Sequence, residues 1–283
     1  MESRNNTYYI PNLLFYNLER RNTDIETLIR LIETKIPKSW DQVDNRLLLL
    51  RYIRKCAEIK YWLSKCHPDK KNFKILDFGC GNGQTVIILK ELGFEVIGLE
   101  LHTHEYWNNI DARFVTYDGI NLPFSSSEFD AVVFFGVLEH IGTPYPREMN
   151  KFDECQLARK ECLIGLINIL REEGLLFVYD FPNKYSPIEI VNELLNMPSH
   201  HDKTDKQSLS QVKNIVKNSG YHIIKAGRIG TLPAYFGLVS PFIKHKIINR
   251  HYRTIGIVDI FVDKILGNLL GQSNFIIAQK QTK

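Results

Sequence analysis

Cysteine is scarce in this chain: the 283 residues hold five, Cys56, Cys66, Cys80, Cys155 and Cys162, with no C-x-x-C pair. An odd, scattered set argues against a disulfide framework and a zinc ribbon, and leaves a reducing cytoplasm as the expected compartment. Long apolar runs are missing too. The longest, Ala131–Phe135, extends only through Gly136-Val137-Leu138, well short of the roughly 20 residues that cross a bilayer. The start, MESRNNTYYIP, lacks the basic and then apolar order of a signal peptide. Neither sign of charge dominates. Lys and Arg number 36 against 32 Asp and Glu, a net +4. That is too mild to call for nucleic acid, but it suits an anionic substrate or membrane surface. No internal repeat or low-complexity tract is present.

What remains is an ordinary globular composition, 44% hydrophobic and 24% charged, long enough for one large α/β domain with appendages. Residues 1–70 read as a helical N-terminal cap. Thr23-Asp24-Ile25-Glu26 has capping-box spacing, and Ile25, Leu28, Ile29, Ile32 and Ile36 recur at helical spacing before Pro37. A second helix is expected from Asp41 to about Lys65, with Leu47, Leu50, Ile53, Ile59 and Trp62 among its apolar positions. These helices either cap a sheet or also form a lid over a pocket.

From residue 71 onward the pattern alternates strand and helix. Strands are expected at Lys74–Phe78, Phe94–Glu100, Arg113–Tyr117, Asp130–Phe135, Leu175–Phe181, Tyr221–Ala226 and Phe275–Ala278. Helices are expected at Thr85–Leu92, at Glu154–Leu170 with Leu157, Leu163, Leu166, Ile167 and Leu170 inward, and at Ser208–Asn218, where Ser208-Leu209-Ser210-Gln211 has capping-box spacing. Alternation of this kind implies a parallel sheet, and nearly continuous apolar strands imply helices on both faces.

The strongest local signal follows the first strand: Asp77-Phe78-Gly79-Cys80-Gly81-Asn82-Gly83. Glycines at alternate positions let the backbone approach a ligand, and the next helix aims its N-terminal amides into the same crevice. A dinucleotide fingerprint requires G-x-G-x-x-G, but Gln84 occupies the position where the last glycine belongs. Glu100, 17 positions after Gly83, ends the second strand; a carboxylate there can accept both hydroxyls of a ribose, or be a solvated surface charge. Tyr117-Asp118-Gly119 follows the third strand, where Asp118 can accept the exocyclic amino group of adenine.

Taken together, ILDFGCGNG, Glu100, the YDG segment, LPF before EFDAVV, and VLEHI resemble the class I S-adenosylmethionine (SAM)-dependent methyltransferases, particularly the branch of quinone-biosynthesis and glycan-cluster enzymes. Leu170-Arg171-Glu172-Glu173-Gly174-Leu175-Leu176 resembles that family's turn into its fifth strand. The resemblance covers roughly 73–230 and the final strand. It implies an α/β, Rossmann-like, seven-stranded and mostly parallel sheet with an antiparallel last strand. An N-terminal helical extension and a helical insertion before the last strand are added to it, so that 71–283 forms the SAM-binding domain and 182–270 supplies substrate-side lids. It also implies cofactor roles. Gly79, Gly81 and Gly83 line the amino-acid and ribose part of SAM, and Asp77 supports the loop. Glu100 holds the ribose, Leu101 packs on the adenine, and Asp118 reads the adenine edge beside Gly119. Phe134 lies near the methionine portion.

Methyl transfer from a sulfonium mainly needs alignment, and a hydroxyl acceptor must also lose a proton. His140, just after the fourth strand, is the candidate base, with Glu139 to orient it and His200 or His201 near the acceptor. The bland alternative is that Glu139 and His140 only tie down the following turn. In some relatives E-x-x-E-H binds a divalent metal. Here Gly136 stands at the first acidic position, so no metal is expected. Phe181-Pro182-Asn183-Lys184-Tyr185-Ser186-Pro187-Ile188-Glu189 resembles a stretch of enzymes acting on polysaccharide or lipid-linked substrates, and is otherwise a structural turn.

Between 232 and 270, Phe236, Leu238, Val239, Phe242, Ile243, Ile247 and Ile248 alternate with Lys244, Lys246, Arg250 and Arg253. This basic amphipathic pattern suits peripheral membrane contact, a lid or a subunit interface. The expected activity is O-methylation of a small-molecule or glycan- or lipid-linked acceptor. The alternatives are RNA 2′-O-methylation of the metal-using type and a non-catalytic SAM-binding scaffold.

Overall fold

In the computed structural model, residues 25–37, 45–142, 152–195, 204–230 and 250–281 are described. The Thr23 capping box, the start of the second helix at Asp41, residues 232–249 of the basic stretch, and His200 and His201 lie outside them.

Among the described residues two helices come first, α1 (Ile25–Lys35) and α2 (Asn45–Cys66). The alternation then runs β1 (Lys74–Phe78), α3 (Gln84–Glu91), β2 (Glu95–Glu100), β3 (Arg113–Thr116), β4 (Phe129–Phe135), α4 (Phe152–Ile169) and β5 (Leu170–Pro182). After these come α5 (Pro187–Leu194), α6 (Leu209–Asn218), β6 (Tyr221–Ile229), α7 (Tyr252–Leu270) and β7 (Ser273–Lys280). The strands form one seven-stranded sheet in the order β3-β2-β1-β4-β5-β7-β6. Neighbouring strands from β3 through β5 are parallel, and β7 inserts antiparallel between β5 and β6. The order reverses at β1 and β4, and ligands of open α/β sheets bind in the crevice at such a switch point, beyond the strands' carboxyl ends.

Because side chains alternate along a strand, the sheet divides the core in two. On one face Ile75, Ala131, Val133, Phe177 and Ile277 meet α1, α2 and α3; Ile25, Leu28, Ile29, Ile32 and Ile36, together with Leu47, Leu50, Ile53, Ile59 and Trp62, are all buried there. On the other face Leu76, Val132, Phe134, Leu176 and Ile276 meet Leu163, Leu166 and Ile169 of α4 and Val212 and Val216 of α6. The α6 capping box forms: the Ser208 hydroxyl accepts from the Gln211 amide, and the Gln211 side chain accepts from the Ser208 amide.

Two expectations for α4 fail. Leu157 is 56% exposed, because the inward stripe is Cys155, Arg159, Leu163, Leu166 and Ile169, with an arginine in the line. Leu170 is not helical; it opens β5, pairs with Phe129, and is followed by an irregular step in which Glu173 takes φ +59°.

Candidate active site

The glycine loop is built by β1, the start of α3 and the segment after β4. Asp77 is buried at the end of β1 and accepts the hydroxyl hydrogen of Thr85 from the first turn of α3. Burial pushes its carboxyl up to about 7, Thr85 pulling the other way and Glu100 adding to the rise. Gly79 takes φ +74°, and a Cβ there would lie 2.5 Å from the methyl carbons of Val137, which follows β4. Any side chain at Gly79 therefore meets both strain and a clash. Gly81 takes φ +50° and a Cβ there would meet nothing within 4 Å. The loop is thus pinned at Gly79 and open above Gly81.

Glu100 leans from the end of β2 onto this loop. One carboxylate oxygen accepts the Gly81 amide hydrogen at 3.1 Å and the other accepts from Leu101 at 2.8 Å. A carboxylate offers about four acceptor sites, so two remain for a diol. Trp107, which the sequence reading passed over, donates its indole N–H to the Gly81 carbonyl at 2.9 Å and stacks on Phe114 at 4.6 Å. That indole holds the loop from below. An aromatic in the connection between two strands carries no motif, so only the fold brings it to the site.

Leu101 is half-exposed, and a Cβ on Gly119 would touch its methyl at 3.4 Å, so these two residues form one apolar edge. Asp118 beside them accepts the amide hydrogens of Ile120 at 2.8 Å and Asn121 at 2.7 Å, and the Asn121 side-chain amide at 2.8 Å. These bonds hold its carboxyl below the usual range and use it first as a turn brace. The ring of Phe134 has no exposed surface and packs against Phe78 at 4.8 Å. Strand alternation gives its neighbour Phe135 the opposite face, where it stacks on Tyr179 at 5.6 Å and meets Tyr52 edge-on.

Beyond β4 and β5 the crevice is charged. His140 closes a short 3-10 turn and is half-exposed; its imidazole lies 3.9 Å from Glu139 and 3.7 Å from Asp205. Glu139 is buried, and desolvation pushes its carboxyl up to about 8, with Asp180 and Asp205 adding to the rise. Arg159, fully buried on α4, donates to the Glu139 carbonyl and, at 3.1 Å, to the Thr204 carbonyl. It thereby ties the His140 turn to the segment carrying Asp205. Asp180, near the end of β5, holds the left-handed φ of +63° and forms an ion pair with Lys55 of α2, itself 4% exposed. Burial raises Asp180, but Lys55 and Arg51 outweigh it and hold the carboxyl below its ordinary range. Lys55, Arg159, Asp180 and Asp205 had no signal in the sequence, because each works through partners 20 to 125 positions away.

Asn183 is buried, donating to the Gly271 carbonyl at 2.9 Å and accepting from the Tyr185 amide. Ser186 then caps α5 with Pro187 in its first turn. The 181–189 stretch is therefore a structural turn, from which Tyr185 projects half-exposed. Among the described residues no group of three or more His, Cys, Asp and Glu side chains is placed to hold a metal ion.

A family described as a methyltransferase domain matches residues 49–226, more than half of the chain. The chain belongs to that family. It is a SAM-dependent methyltransferase, and the donor fits the residues present: an open backbone cradle above Gly81, a carboxylate against it, and an apolar edge at Leu101 and Gly119. An uncharacterized protein of Methanocaldococcus jannaschii is 23% identical over 189 residues, covering 66% of this chain and 71% of the relative. Two solved structures share the fold. The enzyme aligns at a TM-score of 0.50 and 13% identity with a putative sarcosine dimethylglycine methyltransferase from Galdieria sulphuraria, over 90% of this chain and 98% of that one. It aligns at 0.51 and 13% with a geranyl diphosphate methyltransferase in complex with SAM, over 86% and 92%. The match begins inside α2, and no described helix is long and apolar enough to cross a membrane.

Proposed function

We propose that this methyltransferase methylates oxygen on a small-molecule or glycan- or lipid-linked acceptor, with His140 as the general base, in the manner of the quinone-biosynthesis and glycan-cluster branch it resembles. The observation that carries the proposal is the setting of His140: half-exposed at the carboxyl edge of the sheet, between two buried carboxyl groups.

When bound, SAM supplies an electrophilic methyl on a positively charged sulfur. Gly79, Gly81 and Gly83 form the backbone cradle for its amino-acid and ribose parts, and Asp77 braces that cradle through Thr85. Glu100 takes the ribose hydroxyls, Leu101 and Gly119 flank the adenine, and Asp118 offers its remaining lone pairs to the adenine edge. His140 receives the acceptor's hydroxyl proton as the new oxygen–carbon bond forms and the sulfur–carbon bond breaks. The resulting imidazolium lies 3.7 Å from the Asp205 carboxyl, with the protonated Glu139 carboxyl beside it, and Arg159 fixes both backbone segments. Burial of Glu139 and Asp205 removes them from direct contact with an acceptor, so their part is to position and stabilise His140. His201 completes the proposed acceptor side.

The test is incubation of the purified chain with methyl-tritiated SAM and fractionated cell extract, followed by NMR of the labelled product. Label on an acceptor oxygen, lost in His140→Ala while SAM affinity is unchanged, supports the reading. Undiminished turnover in His140→Ala overturns the base assignment, and label on nitrogen or carbon overturns O-methylation.

A further inference from the structure

Helix α7 is built inside out. A surface helix normally buries its apolar stripe and exposes its charges. Here Asp259 and Asp263 point inward, Asp259 1% exposed; Asp263 lies 3.0 Å from Arg54, and Asp259 lies 3.7 Å from Arg54 and 4.0 Å from Arg51 of α2. Glycines let the same face approach closely: a Cβ on Gly256 would lie 2.3 Å from Leu50, and one on Gly267 2.8 Å from the Arg228 carbonyl. The outward face carries Ile257, Phe261, Ile265 and Leu269, each 61–67% exposed, with Val258 and Leu266 beside them. Its exposed charges are the cations Arg253 and Lys264; the helix's two acids are the ones turned inward.

The chain leading into α7 has the same bias. From Lys206 to Val258 there are nine Lys and Arg and no Asp or Glu at all, so this segment carries +9 and the rest of the chain −5. Three of these cations meet acids from elsewhere in the fold, Lys206 with Glu189, Lys225 with Glu58 and Arg253 with Glu26, and the segment remains net basic.

We infer that the outward face of α7 rests on a membrane surface containing anionic lipid. Apolar side chains flanked by cations, on a helix lying flat, match the interface between headgroups and acyl chains. A second copy of the chain fits less well, since α7 turns both of its own acids inward onto Arg51 and Arg54 and leaves no carboxylate of the helix for a partner's cations. An enzyme held this way meets acceptors that are themselves confined to the membrane.

Flotation of the full chain with neutral phosphatidylcholine vesicles and with vesicles containing about 30% phosphatidylserine tests this. The expected result is co-flotation with the anionic vesicles at low salt and release at high salt. Phe261→Ser/Ile265→Ser lowers the bound fraction by about tenfold or more, and Lys264→Glu by about tenfold. Both variants keep the parent's circular dichroism and SAM affinity, because these positions are exposed and lie outside the residues proposed to bind SAM. Failure to float with anionic vesicles at low salt overturns the inference. So does equal binding to neutral vesicles, or binding that the double serine variant retains. A dimer in light scattering that the same variant dissociates, without vesicle binding, assigns the face to a second copy instead.

Discussion

The two halves of the crevice are made by different means. On the proposed donor side, β1, β2, β3 and the turns after them present backbone, left-handed glycines and amide hydrogens, braced by the carboxyl groups of Asp77, Glu100 and Asp118, all drawn from residues 77–119. On the proposed acceptor side, the ends of β4 and β5 present charges whose partners arrive from α2, α4 and the segment before α6. A local backbone device survives in the order of residues along the chain. A long-range pair of side chains does not, since nothing near Lys55 in sequence points to Asp180. The contrast also assigns different failures to the two sides: damage to the acceptor side costs stability, and damage to the donor side costs affinity for SAM.

The largest expected effect is on the acceptor side. Asp180→Ala strands the buried Lys55 ammonium and destabilises the fold by about 3 kcal/mol, read by chemical denaturation. Replacing both partners with apolar residues recovers most of that loss, because an absent pair costs less than a broken one. If the single variant is as stable as the parent, the buried pair is not a structural element.

Next is Gly79→Ala on the donor side. Its Cβ would press on Val137 in a left-handed backbone, a strain of about 2 kcal/mol. SAM affinity measured by calorimetry falls by more than the melting temperature suggests. Trp107→Phe keeps the stack on Phe114 and removes the indole bond to Gly81, costing about 1 kcal/mol of SAM binding. An unchanged SAM affinity there would show that the loop holds its shape without the indole.

The last effect depends on pH. With the Glu139 carboxyl pushed up to about 8 from an ordinary 4.5, the folded chain holds a proton that the unfolded chain has lost. Stability therefore falls as pH rises between those two values. Glu139→Gln removes this slope: its melting temperature matches the parent's at the acid end and exceeds it above the upper value. Parallel curves would contradict the buried, uncharged Glu139.

Most of the fold was legible in the residues. The helical spacing of Ile25 through Ile36, the Ser208–Gln211 box and the seven strands all follow local rules, and the structure carries each of them. The illegible parts break those rules for a tertiary reason. Arg159 occupies a core position on α4 because two carbonyl oxygens and Asp205 await it there, which displaces Leu157 to the surface. Leu170 leaves the helix because Phe129 offers it a strand partner. For α7 the sequence showed an apolar, partly basic segment but not which face turns in: Arg51 and Arg54, far earlier in the chain, draw Asp259 and Asp263 inward and decide it.

The donor site is tested most directly by calorimetric titration of SAM into the full chain and into Glu100→Gln. One binding site per chain in the parent, weakened about tenfold or more when the carboxylate becomes an amide, is the predicted result. Absence of SAM binding in the parent, or equal affinity in Glu100→Gln, would contradict the assignment of the glycine loop and Glu100 as the donor site.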